Sequence, residues 1–265
     1  MNPLDLVNSL VPELTASFTP TYVFTFGDSG IGVTQYIFWM CITFALTLIV
    51  VLACGKHLQL VPTNRFVGMV EQGYGMVRRD MGENPIGHGF EKHIPFLATL
   101  FFFILISNFV GLIPGCKTPT GTISVTWCLS LISFVYFNYW GVRAHGGWGY
   151  IKHIAPAGLP KVMVPIIWFF EFLSLVLRAL TLTVRLYGNM FAGHMALGIF
   201  SIFAYAFLWT GIQNGLAGIV TGGMSILWML LLFAMYALEA LVAFLQAYVF
   251  AVLSGVYIGL AVAEH

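Results

Sequence analysis

Charge is what this sequence has least of. Only 8% of its 265 residues are Asp, Glu, Lys or Arg, where a soluble domain carries about 25%. Hydrophobic residues make up 59%. A soluble globule of this size needs a solvated polar surface that the chain cannot supply, so its solvent is largely lipid. The formal net charge is +1, which removes any electrostatic case for nucleic acid. The four cysteines, Cys41, Cys54, Cys116 and Cys128, include no C-x-x-C spacing and no Cys/His cluster. They read as small apolar side chains in or near membrane spans, and neither a metal nor a cofactor is expected. Residues 1–33 hold Asp5, Glu13 and Asp28 but no Lys or Arg, so a signal peptide with a basic start and an Arg-rich transit peptide are both unexpected. No Ser/Gly-rich linker divides the chain and no internal repeat is evident. A single membrane domain over 1–265 is expected, and the missing repeat counts against inverted-repeat transporters.

What is present is a series of long apolar runs. An upright helix needs about 20 residues to cross the hydrocarbon core. Runs at 35–54, 94–114 and 122–140 meet that length. The second and third are joined by a short link with Gly115, Pro119 and Gly121, so they should form an antiparallel hairpin. Between the first and second, Phe66, Val70, Tyr74 and Val77 recur at helical spacing opposite Arg65, Glu71, Gln72 and Arg78. This predicts an interfacial amphipathic helix over 62–80. Beyond Lys161 the pattern changes. Apolar sequence runs over 161–209, pauses at 211–215, and continues over 217–262. No Pro or polar turn divides the last run, although Gly255 stands inside it, so each is read as one long, strongly tilted helix. The expected fold class is therefore an all-α integral membrane protein of about five membrane-embedded helices plus the interfacial helix. Lys and Arg cluster at 55–93 and 141–161 and are missing from 1–33 and 211–217. That distribution puts the N-terminus outside and the C-terminus in the cytoplasm.

Five ionisable residues stand within the last two apolar runs: Glu171, Arg178, Arg185, His194 and Glu239. Each costs a few kcal/mol to insert, so such residues mark ion or substrate paths more often than they serve structure. A pairing of Arg178 with Glu171 is the plainer alternative for those two. Glu171, Arg178 and Arg185 are spaced by heptads and share one helix face with Ser174, Thr181 and Asn189. His194 falls on the opposite side of that helix. Glu239 and Gln246 share a face of the last helix. A proton path needs titratable or water-holding groups at both depths and a barrier between them. Arginine suits the barrier because it does not lose its proton. No second acid stands on the Arg185 stripe at its depth, which leaves a partner as one source of the carboxylate it would attract.

The stretch VRLYGNMFAGH (184–194), with Arg185 and Gly188-Asn189-Met190, resembles the signature of subunit a of F-type (rotary) ATP synthases. LQAYVF (245–250), containing Gln246, and SNFVGLIP (107–114) resemble that family as well. The resemblance implies a non-catalytic membrane subunit beside a ring of c subunits, with two offset proton half-channels. It implies the b-subunit peripheral stalk and the soluble F1 ATPase sector as further partners, with the lipid bilayer as solvent. Arg185 matches the family's essential arginine, and Asn189 and Gln246 match polar residues near it. Glu171 and Ser174 match the cytoplasmic half-channel; Asn108, His194 and Glu239 match the outer one. Many bacterial members carry Glu at the 194 position and His at the 239 position, exchanged here, and Gly111 stands where some members have an acid. The bacterial plasma membrane is the favoured location over an organelle inner membrane. The competing readings are a secondary transporter or proton antiporter using Arg185 for an anionic substrate, and a scaffold subunit that would need none of these charges. A haem carrier is disfavoured because no two histidines face each other within the spans.

Overall fold

The computed structural model describes residues 22–25, 32–56, 65–87, 89–113, 115–146, 163–213 and 219–262, together with residues 7, 9, 10 and 12. Most of the outer segment 1–33, the polar stretch 147–162 and part of the pause at 211–215 lie outside the described residues. A short antiparallel pair, β1 (Tyr22–Thr25) and β2 (Gly32–Thr34), precedes the first helix. Among the described residues the regular elements after it are all helical, the longer ones being α1 (Gln35–Lys56), α2 (Arg65–Met76), α3 (Ile94–Gly111), α4 (Ile123–His145), α5 (Val164–Gln213) and α6 (Ile219–Val262). Among the described residues five helices are long and apolar enough to cross a membrane. In hydrocarbon a backbone polar group finds no water, so a helix, which satisfies its own peptide groups, is the form these runs must take. Hydroxyls inside the spans follow the same rule. Thr43, Thr47, Thr183 and Thr210 each donate to a carbonyl one turn back, at 2.7–3.0 Å.

Helix α5 has 50 residues and α6 has 44, about 75 and 66 Å at 1.5 Å per residue. Both exceed twice the hydrocarbon thickness of about 30 Å, so neither can stand upright in one bilayer. α6 runs through Gly255 without a break. The glycine has a different use. A Cβ at Gly255 would strike the Met81 carbonyl oxygen, and one at Gly259 would strike that of Pro85. The two glycines, one turn apart, form a notch that lets a second backbone approach α6 as closely as small-residue faces allow.

The backbone in that notch continues the segment expected at the interface. Past α2 the chain widens into a π-helix, Val77–Glu83, and a short helical turn, Asn84–Ile86. Val77 and Met81 are fully buried, within the same core as Leu97, Phe101 and Ile104 of α3 and Ala247, Phe250 and Ala251 of α6. Arg78 and Arg79 remain exposed. The segment is amphipathic, but its apolar face covers a helix rather than lipid alone. On the hairpin partner α4 the buried face is Thr126, Ser130, Ser133, Phe137 and Gly141, mostly small residues. Ser133 donates to Ser254 of α6 at 2.9 Å, and Ser130 donates to the Ala179 carbonyl of α5 at 2.5 Å. At one end of the hairpin His93 Nδ1 lies 3.2 Å from the Tyr136 hydroxyl, and Trp140 packs edge-on against the imidazole. Burial, and then the adjacent Lys92, pushes His93 below the usual histidine range.

Since a carbonyl of the backbone cannot swing aside as a side chain can, Gly255→Ala and Gly259→Ala should each destabilise the assembled protein by about 1–3 kcal/mol. Gly223→Ala, with open space around the added methyl, serves as the control. Thermal unfolding of the detergent-solubilised complex measures this. Melting temperatures equal to the control in both variants would show that the Met81–Pro85 backbone is free to move away.

Candidate functional site

Three contacts set the register of α5 on α6. The Phe203 ring stacks on Trp228 with centroids 4.6 Å apart. Gly193 lies against the Glu239 carboxylate. The Arg178 guanidinium lies 5.3 Å from the Tyr257 ring centre. As numbers fall on α5 they rise on α6, so the helices are antiparallel. Along this register Gln246 falls level with the stretch between Arg185 and Asn189, and His194 shares its level with Glu239.

The first polar cluster forms where α3, the α3–α4 link, α5 and α6 meet. Asn108 is completely buried. Its amide nitrogen donates to the Ala243 carbonyl at 3.1 Å, and its oxygen accepts from Thr120 at 2.7 Å. Glu239 is 3% exposed, and its carboxylate fits only because residue 193 is glycine. His194 Nε2 lies 2.7 Å from the Thr118 hydroxyl. Among the described residues no hydrogen bond or ion pair joins His194 to Glu239, so the structure makes them neighbours and gives the imidazole a different direct partner. Beside them a partly open cavity of about 250 Å³ is lined by Tyr36, Lys117, Thr118, His194, Ser201 and Tyr236, among others. Burial pushes the Lys117 ammonium below the usual lysine range.

At the α5–α6 seam and its junction with α3, five buried polar atoms have no hydrogen-bond partner among the described residues: Ser107 Oγ, Asn189 Nδ2, Trp228 Nε1, Glu239 Oε1 and Gln246 Nε2. Buried polar atoms are ordinarily satisfied by protein or by water. Those on Ser107, Asn189, Glu239 and Gln246 have the donor and acceptor capacity of a hydrated path. Arg185 differs from all of them. It lies on the exposed face of α5 beside Leu177, Leu180 and Val184, and among the described residues it has neither an ion pair nor a hydrogen bond.

The second cluster lies toward the start of α5. Arg178 sits 3.6 Å from Glu171, with side-chain exposures of 24% and 45%. Thr181 donates to the Arg178 carbonyl at 2.9 Å. The structural pair foreseen for Arg178 is therefore present, and Ser174 is half-buried one turn from Glu171.

Sequence reasoning did not single out Thr118, Thr120, Lys117, Ser107 or Tyr36. Thr118 and Thr120 stand in a Gly/Pro link, where hydroxyl residues are common for local reasons, and nothing in a linear pattern ties them to residues 194 and 108. The one available signal was Gly111, whose missing side chain makes the space that the Thr118 hydroxyl fills.

Residues 37–259 match the ATP synthase A chain family. The chain is 35% identical over 245 residues to an ATP synthase subunit a of Chloroherpeton thalassium, covering 90% of this chain and 69% of that one. It is 37% identical over 245 residues to an ATP synthase subunit a of a Nocardioides species, covering 90% and 86%. It is 38% identical over 203 residues to an ATP synthase subunit a of Brucella ovis, covering 77% and 78%.

Asn108→Leu should strand the Thr120 hydroxyl and remove the second hydrogen bond to the Ala243 carbonyl, which keeps its bond within α6, and an unmet buried group costs about 1–3 kcal/mol. The expected result is a lower yield and a lower melting temperature of the solubilised protein. Asn108→Leu with wild-type thermal stability would mean that neither hydrogen bond contributes.

Proposed function

The chain belongs to the ATP synthase A chain family, and we propose that it acts there as the proton-channel subunit, with Arg185 facing the carboxylates of a c-subunit ring. The observation that carries this reading is the position of Arg185. A permanently charged guanidinium stands uncompensated on an exposed apolar helix face, and such a charge in hydrocarbon is costly unless something pairs with it. A carboxylate presented by an adjacent ring meets that need. It also explains why two helices too long for the bilayer lie together with an apolar face uncovered, since Leu238, Leu241, Phe244 and Leu245 of α6 are exposed beside the α5 stripe.

On this reading the residues serve the two-half-channel mechanism that the family resemblance implies. A proton enters the outer half-channel, past the cavity at His194 and the buried polar groups of Asn108 and Glu239. It neutralises a ring carboxylate, which can then leave the arginine and travel through lipid. After nearly a full turn the carboxylic acid releases its proton into the cytoplasmic half-channel, at Ser174 and Glu171. Arg185 attracts the resulting carboxylate and repels any proton crossing directly, so flow and rotation stay coupled. Asn189 and Gln246, whose amide nitrogens are unpaired donors, hold water between the two half-channels. The b-subunit stalk and the F1 sector complete the complex. The Lys/Arg distribution supports a cytoplasmic C-terminus in a bacterial plasma membrane.

Arg185→Ala should abolish ATP-driven acidification of inverted vesicles while the complex still assembles, and passive proton leak should persist or rise. Arg185→Lys should fail largely too, because a buried ammonium can lose its proton and lacks the planar fork. Coupled pumping by Arg185→Ala membranes would overturn the reading, as would transport by the purified chain alone without a ring.

Glu171→Gln should slow transport without stopping it, because Ser174 and water remain. Loss of assembly in Glu171→Gln, measured by co-purification of the complex, would instead assign Glu171 to a structural pair with Arg178.

A further inference from the structure

The imidazole of His194 has one direct partner among the described residues, and it is neither charged nor on either long helix. Thr118 lies in the link between α3 and α4, 4% exposed, with its hydroxyl 2.7 Å from Nε2. Two features fix that hydroxyl. The Thr118 carbonyl accepts from the Gly121 amide at 3.0 Å, closing the turn. On the other side the hydroxyl occupies the space that a Cβ at Gly111 would take, so α3 cannot bear a side chain there while Thr118 keeps its place.

The charged and titratable groups around the ring come from several elements. Lys117, Tyr36 and Tyr236 share its cavity, and the Glu239 carboxylate rests on Gly193, the preceding residue. A carboxylate bonded directly to the ring would favour the imidazolium, and an ammonium would favour the neutral form. A hydroxyl carries no charge, so it biases the proton far less.

Resting on the outer half-channel reading above, we propose that Thr118 is the positioning residue for His194, holding Nε2 so that the path's proton is taken up and released at Nδ1. In the neutral ring Nε2–H donates to Thr118 Oγ and Nδ1 carries the lone pair. A proton bonds to Nδ1, giving the imidazolium, and later leaves from the same atom. The Nε2–H bond neither forms nor breaks, and the ring does not turn between states.

The test is ATP-driven acidification of inverted vesicles across a pH series, at equal content of assembled complex. Thr118→Val keeps the shape and removes the hydroxyl. It should lower transport by about tenfold, the rate equivalent of one hydrogen bond, and shift the pH profile. Thr118→Ser keeps the hydroxyl and should retain most of the rate with the wild-type profile. In a His194→Ala background the two substitutions should be indistinguishable. If Thr118→Val fails to assemble, the comparison becomes Thr118→Ala against Thr118→Ser, which share the lost methyl and differ in the hydroxyl. Wild-type rate and profile in the hydroxyl-free variant would overturn the proposal. So would Thr118→Ser falling as far as that variant, or an effect that survives the loss of His194. If His194→Ala alone pumps like wild type, the outer half-channel reading falls as well. If His194→Ala impairs pumping and the hydroxyl-free variant does not, only the positioning role falls.

Discussion

Everything in this protein depends on how α5 lies against α6. Each helix is more than twice as long as the hydrocarbon is thick, so both must slope, and their antiparallel packing fixes which polar groups meet. Phe203 on Trp228, Gly193 on Glu239 and Arg178 on Tyr257 mark one continuous register. Slipping it by a turn would drive the Glu239 carboxylate out of the space at Gly193 and into a side chain. The seam would then bury a carboxyl group against a wall of methyls, which hydrocarbon does not tolerate.

The remaining elements hold that pair in place. Helix α3 meets it through Leu97, Phe101 and Ile104, α4 mostly through small and hydroxylated residues, and the serine bonds to Ala179 and Ser254 tie α4 to both long helices. The segment from Val77 to Ile86 enters the Gly255/Gly259 notch and covers the later half of α6. The earlier half of α6 is left uncovered, with Phe233 77% exposed. The molecule therefore has one side packed by its own chain and one side offered to lipid and to whatever meets Arg185. On the proton-channel reading proposed above, the permanent charge on the uncovered side would face the moving ring, and the titratable groups on the covered side would keep the proton from the lipid.

Much of this was legible in the linear sequence. Low charge and long apolar runs determined the solvent, the helical class and the number of long helices, because a backbone in hydrocarbon has so few ways to satisfy itself. The nine-residue separation determined that Arg185 and His194 look in opposite directions, since that follows from helical geometry alone. It also made the Glu171–Arg178 contact foreseeable as one alternative, as both lie on the same helix.

What only the tertiary structure decided are the contacts between elements distant in sequence. Gly255 lies inside a helix read from the sequence as continuous, and only the fold shows it to be a notch for another backbone. The hydrogen-bond partner of His194 is Thr118, 76 positions away. Asn108 needed Thr120 and the Ala243 carbonyl, and neither carries a mark in the linear order. The reason is physical. Periodicity along a chain states which way a side chain points from its own helix axis, whereas a hydrogen bond across a seam depends on the distance and register between two axes, and those are set by which side chains are missing as much as by which are present.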